Sequence, residues 1–443
     1  MSETCLPPMR KKTPLTAMFL LGVMYFVFGF TSWINSILVP YFKIGCELNH
    51  FQSYLIVFAM YFAYLIMAIP AGNILKALGY KRGIMYGFFT VALGALIFLP
   101  AAWWRSYPLF LAGSFVMGLG VATLQTAANP YVTVIGPLES SVKRMAIMGI
   151  VNKFAGLVAP LIFAAVIFKV SDEGMFASLG EGMLDPAAKA AVLDELVRRV
   201  IGPYAVFAAA MVAVGLAFRY SKLPEIDLGE QNRLSDSAQG SDKRSVFQFP
   251  YLILGVVAMF LHISTQVVTI DTIISYAQSM GISIIDAKVF PSYTLALVIL
   301  GNVLGILLIP RVVSQTRIFQ ICCVLGFVLS LGVVWGDFDV RFLGFDANVS
   351  IWFLVGIGLA NSLIYAGIWP LAIRNLGPFT KTGSSMLIMA LFGNAVTPLI
   401  YGAITDAADP RIAYFWILLP GFAYLVWYSV WGHRIVSWSC KKR

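Results

Sequence analysis

Twelve apolar runs of about 20 residues, more than any other feature, constrain what this chain can fold into. At 1.5 Å per residue, a helix of about 20 residues crosses a hydrocarbon core about 30 Å thick. In lipid only helices and closed barrels satisfy every backbone N–H and C=O. The runs lie near 15–41, 51–77, 83–102, 108–135, 145–170, 201–221, 247–275, 289–310, 318–336, 350–373, 384–405 and 412–435. With 59% hydrophobic and 12% charged residues among 443, a soluble domain of this length is excluded. The expectation is an all-α membrane protein of twelve transmembrane helices embedded in a lipid bilayer. The basic N-terminal segment is not followed by a small-residue cleavage pattern, so the first helix is read as retained. Five cysteines without C-x-x-C spacing suggest neither a disulfide framework nor a metal site.

The formal charge of +10 would suit a nucleic-acid partner, but its distribution argues against one. Twenty-one of the 31 Lys and Arg fall on one side of the predicted spans, nine on the other, and Lys153 lies within a helix. Acids run the opposite way, and Asp271 alone falls inside a span. By the positive-inside rule the basic side is cytoplasmic, and an even number of spans puts both termini there. The expected location is a bacterial plasma (inner) membrane.

Two longer connections interrupt the pattern. Residues 222–246 are polar and without apolar periodicity, and read as a cytoplasmic linker. Residues 171–200 lie outside, and AAKAAVLDELVRRV has the spacing of a short surface helix. The chain thus divides into a cytoplasmic tail (1–14), a six-helix half (15–221), the linker (222–246), a second six-helix half (247–436) and a basic tail (437–443). The halves read as repeats: Ile69-Pro70 and Ile309-Pro310 are 240 apart, Gly136-Pro137 and Gly377-Pro378 are 241 apart, and Pro160 and Pro398 are 238 apart. A parallel duplication places a solute path between the halves, near mid-membrane, and makes a monomer sufficient.

Within Gly118–Pro160, inside two segments otherwise apolar enough for lipid, stand Gln125, Asn129, Asn152 and Lys153. An unpaired polar group there costs several kcal/mol. Gln125 and Asn129, four apart, share a helix face, and Pro130 frees the Thr126 carbonyl and bends the helix beside them. Any one of these residues also fits the role of a polar contact between packed helices. The cluster favours a binding site.

Gly72-Asn-Ile-Leu-Lys-Ala-Leu-Gly79-Tyr-Lys81-Arg82, between the second and third helices, resembles the loop signature of the major facilitator superfamily, with Lys76 where that pattern usually has an Asp. The resemblance marks Gly72, Gly79, Lys81 and Arg82 as a gating loop. Asn35-Ser-Ile-Leu-Val-Pro40, Leu124–Pro137 with its Thr-Ala-Ala-Asn-Pro run, and Ile373–Ser385 are similar to the L-fucose permease and bacterial glucose/galactose transporter group, sugar:proton symporters, and the similarity runs along nearly the whole chain. It implies the twelve-helix facilitator fold in two six-helix pseudo-repeats, a small sugar substrate, and no cofactor beyond a coupling ion, H⁺ or Na⁺.

The departures from that group matter more. Where the fucose permease pattern has an Asp after the first Asn and a Glu before Thr-Ala-Ala-Asn-Pro, this chain has Ser36 and Gln125, and neither titrates in the physiological range. Coupling must then reside elsewhere or be absent. Asp271 is the candidate acid, with a solvated position near its helix end as the alternative. Lys153 is the matching cation. The two could form a switchable pair, a permanent structural pair, or leave Lys153 to meet an anionic sugar such as a uronate. Asn35, Gln125, Asn129, Asn152, Gln266, Asn361 and Asn394 are candidates to bond sugar hydroxyls, with Trp33, Tyr365 and Trp369 as the aromatic platform. The resemblance places Asn152 and Tyr365 at pocket positions. His262 and Gln266 share a face, whereas His262 and Asp271, nine apart, point oppositely, which disfavours a relay between them.

Four functions fit such a chain to different degrees: a cation-coupled symporter of neutral hexoses, a passive uniporter on the same fold, a transport-dead sensor on that fold, which would need an added signalling domain, and an intramembrane enzyme. For the last, the chain offers no H-E-x-x-H, no G-x-S-x-G and no clustered His or carboxylates.

Overall fold

The computed structural model describes residues 15–67, 70–134, 141–167, 185–221, 245–309, 313–374, 376 and 379–438. The first half comprises α1 (Leu15–Trp33) continued by α2 (Asn35–Gly45), α3 (His50–Met67), the short α4 (Pro70–Leu78), α5 (Tyr80–Trp103), α6 (Tyr107–Val134), α7 (Ser141–Ile167), α8 (Pro186–Arg198) and α9 (Ile201–Tyr220). The second comprises α10 (Pro250–Asp271) continued by α11 (Ile273–Ser279), α12 (Ile284–Ala287), α13 (Phe290–Leu308), α14 (Gln315–Trp335), α15 (Val349–Asn361) with α16 (Ile364–Ile373), α17 (Thr380–Met389) with α18 (Gly393–Ala407), and α19 (Pro410–Val430). Twelve stretches are long and apolar enough to cross a membrane. They fall on the twelve expected runs, the second ending early at Met67 with α4 covering the rest. The expected surface helix is α8. The linker from 222 to 244, the tails 1–14 and 439–443, and the Gly136-Pro137 and Gly377-Pro378 pairs lie outside the described residues.

Several spans are discontinuous. The first span of each half breaks in its later part, at Ile34 between α1 and α2 and at Thr272 between α10 and α11. At the second break the Thr272 hydroxyl donates to the Val268 carbonyl (2.6 Å) and pairs with the Tyr414 hydroxyl (2.7 Å), so a side chain and a neighbouring helix stabilise the interruption. A third break, at Ser362–Leu363, separates α15 from α16, and a 3₁₀ turn, Ala390–Phe392, joins α17 to α18. By contrast α6 runs through Pro130 as one helix.

The halves meet at the end of the bundle remote from the termini. Asn49 accepts from the Gln52 N–H (2.7 Å) while the Gln52 side chain accepts from the Asn49 N–H (3.1 Å), a reciprocal cap at the start of α3. The next two amides, His50 and Phe51, donate to the two carboxylate oxygens of Asp406, at the end of α18 in the other half (2.7 and 2.9 Å). Deeper along the same pair of helices Tyr54 meets Tyr401 edge-on at 5.8 Å, and Phe392 meets Phe58 and Phe62 at 6.1 and 6.2 Å. Ser292 of α13 donates to the Leu157 carbonyl of α7 (2.7 Å).

At this same end α8 is tied down by the Tyr41 hydroxyl, which donates to the Leu196 carbonyl, by Arg105–Asp194 (3.2 Å) and by Lys189–Glu47 (2.6 Å). The hydrogen bond from Lys189 holds the Glu47 carboxyl below its ordinary value of 4.5. A depressed carboxylate contributes stability above its unfolded value and loses it as pH falls through the folded one. Both partners are nearly half exposed, so Glu47→Gln should cost less than about 1 kcal/mol, a small drop in melting temperature that fades as pH falls from 4.5 through the lowered folded value.

The connection after α14 contains an element not foreseen, an antiparallel hairpin of β1 (Asp339–Phe342) and β2 (Phe345–Asn348). Its two-residue turn, Leu343-Gly344, has positive φ at both positions (51° and 88°), the geometry that matches strand twist.

Candidate functional site

Trp33 ends α1, just before the first break, and is 6% exposed. It lies so close to α7 that a Cβ built on Gly156 would stand 2.2 Å from the indole Cδ1, so only glycine admits this approach. Lys153, one turn earlier on α7, places its Nζ 4.3 Å over the Trp33 ring. The same Nζ donates across the seam to Oε1 of Gln266 on α10 (3.4 Å). Trp33 also packs with Ile270, Leu295 and Leu157. One cation thus joins an aromatic face of the first half to an amide of the second.

Asp271 is fully buried, and among the described residues neither carboxylate oxygen has a hydrogen-bond partner. Tyr54 and Tyr61 of α3 lie within its electrostatic reach. It is therefore not a solvated residue at a helix end. In this arrangement Lys153 is held by Trp33 and Gln266, and the carboxylate has no cationic hydrogen-bond donor.

Gln125 donates to the Tyr64 hydroxyl (3.3 Å) and Asn152 to the Tyr25 carbonyl (3.2 Å). Tyr25 in turn lies within electrostatic reach of Tyr365 of the second half. Tyr365 stacks on Trp369 (centroids 5.7 Å apart, planes 23°) and remains 37% exposed, an aromatic surface open in the seam. His262, set aside in the sequence reading, is fully buried beside Asn361 and within the field of Lys153. Asn394 is half-buried in the first turn of α18, and among the described residues no hydrogen bond joins it to this group. The side chains of Asn35 and Asn129 lie outside the described residues.

Sequence reasoning did not single out Tyr25 or Tyr64. With 19 Tyr and 33 Phe in the chain, spacing alone does not choose among them. His262 did carry a signal, its shared face with Gln266.

The stretch expected as a gating loop is mostly helical. Gly72 lies in α4, and Gly79, at φ 77°, is the turn between α4 and α5. Lys81 donates to the Ser221 carbonyl at the end of α9 (3.0 Å), within its own half, and Arg82 is exposed. The Lys76 side chain lies outside the described residues. At the closed end the seam keeps a cavity of about 340 Å³, lined by Lys43 and His50 from one half and Ser275, Gln278 and Ser279 from the other.

Two six-helix halves, with aromatic and amide side chains converging on their seam and one end of that seam shut, define a membrane carrier. The Major Facilitator Superfamily profile matches residues 21–400, and the chain belongs to that family. It is 30% identical over 417 residues to the glucose/galactose transporter of Brucella abortus biovar 1 (strain 9-941), covering 94% of this chain and 93% of that one. It is 31% identical over 394 residues to the L-fucose-proton symporter of Escherichia coli (strain K12), covering 88% and 86%. Among solved structures, FucP in the outward conformation matches with a TM-score of 0.67 at 27% identity, covering 94% of this chain and 99% of that one. The inward open xylose transporter XylE from E. coli matches in fold with the same TM-score, at 12% identity, covering 96% and 97%.

Proposed function

We propose that this protein imports a neutral hexose, such as glucose, galactose or fucose, together with a cation, by alternating access. The observation that carries this reading is the seam itself. Gln125 and Asn152 from one half and Gln266 from the other supply amides that donate to and accept from hydroxyls, while Tyr365 and Trp369 offer a stacked aromatic face for the apolar side of a sugar ring. The names of the relatives support the same substrate class. H⁺ is the coupling ion favoured here, through Asp271, with Na⁺ as the competing choice.

The charge asymmetry of the loops supports placing the termini in the cytoplasm of a bacterial inner membrane. On that topology the closed end of the seam faces outward.

Hexose uptake into proteoliposomes tests the proposal, compared under an imposed proton gradient, a sodium gradient and no gradient. Accumulation under one gradient alone names the ion. Equilibration without accumulation under all three would replace the symporter by a uniporter, and no hexose entry at all would remove the substrate class. For the pocket, Gln125→Ala and Asn152→Ala should each weaken hexose binding by about ten- to a hundredfold, since stranding a buried polar partner costs about 1–3 kcal/mol. Unchanged affinity in both would take them out of the site.

A further inference from the structure

Two of the groups assigned above to sugar recognition are already occupied. The face of Trp33 and Oε1 of Gln266 both hold the Lys153 ammonium, at 4.3 and 3.4 Å. An ammonium and the C–H face of a sugar ring compete for the same aromatic surface, because each presents positive charge to the negative face of the indole. The amide oxygen accepts from an ammonium in the direction it would use for a hydroxyl. Trp33 is backed by Gly156 and by the Ile270–Leu295–Leu157 cluster, so its second face is not free to serve instead.

We propose that Lys153 is a tethered occupant of the sugar site. Its ammonium stands where a hexose face and hydroxyl bind, and sugar enters by displacing it from Trp33 and Gln266. The inference rests on the hexose reading above and specifies how that site works. Lys153 acts through Trp33 and Gln266, and is a positioning residue.

The lysine stem, with four flexible carbons, lets the ammonium swing clear of the indole face. The spontaneous preference of Lys153 for Trp33 lowers sugar affinity and spends part of the binding energy on that rearrangement.

The test uses the full-length protein in nanodiscs, titrated calorimetrically with D-glucose, D-galactose, L-fucose and D-glucuronate. Lys153→Met keeps the stem and removes the ammonium, and should bind its hexose at least tenfold more tightly than wild type. Lys153→Arg, whose guanidinium also lies well on an indole face, should stay within about threefold of wild type. Weaker hexose binding by Lys153→Met, with wild-type binding intact, would overturn the proposal and make Lys153 a direct sugar contact. Tight glucuronate binding that depends on Lys153 would also overturn it, in favour of an acidic sugar. If none of the three hexoses binds wild type or any variant, the hexose reading falls and the inference with it, a result distinct from loss confined to Lys153→Met.

Discussion

Vesicles carrying Asp271→Asn are expected to equilibrate hexose across the membrane without concentrating it, whereas wild type concentrates it under an inward proton gradient. A pH difference of two units is worth about 2.7 kcal/mol per proton, enough for about a hundredfold accumulation at one proton per sugar. The variant should reduce that ratio to one. The reasoning starts from burial. Asp271 ends α10, beside the Thr272 break, and among the described residues its carboxylate oxygens have no hydrogen-bond partner. Carrying an unpaired carboxylate through a dry interior costs several kcal/mol, a cost that a proton or a cation removes. Asn is nearly isosteric and neutral, so the fold and sugar exchange between the two sides should persist. Accumulation by Asp271→Asn equal to wild type would end the coupling assignment.

Gly402→Val is expected to reduce uptake by about a hundredfold or more for an unrelated reason. A Cβ at 402 would lie 2.9 Å from both the His50 carbonyl oxygen and the Phe51 Cα, and 2.8 Å from Tyr54 Cδ2. Two of these obstacles are backbone, which cannot swing aside. Overpacking of this kind costs about 1–3 kcal/mol or more, and the cost is incurred only when α18 closes on α3. The substitution therefore penalises one conformation and spares the other. A cysteine replacing Ser292, whose hydroxyl now bonds to Leu157 across the seam, should become reactive to an impermeant maleimide from outside in the Gly402→Val background. If that cysteine stays protected while transport is lost, the gate explanation is wrong.

The twelve spans were legible because lipid imposes a single length and composition on anything that crosses it. The breaks were not. Ile34, Thr272 and Ser362–Leu363 contain neither Pro nor Gly, and the Thr272 break is stabilised by Tyr414, 142 residues away. Pro130, read as bending its helix, sits inside one continuous helix. The hairpin at 339–348 was hidden because its turn is Leu-Gly instead of Asn-Gly or Asp-Gly. At the site, the chemistry of Trp33, Lys153 and Gln266 was visible as residue types in apolar runs, but their meeting depends on Gly156 letting α1 approach α7. Two lone charges suggested one pair, and the fold instead gives Lys153 an aromatic face.

The cap that Asp406 places on α3 bears on how fast such a carrier can turn over. Asp406 is exposed, and the amides it accepts from stand at the mouth of the seam. When the halves part there, water can replace the carboxylate at His50 and Phe51 and replace the amides at Asp406, nearly bond for bond. The reciprocal bonds between Asn49 and Gln52 lie within one half and survive the parting. A latch of this kind gives direction and register to closure while contributing little depth to either well. Opening the seam at this point then adds little to the barrier between the two orientations.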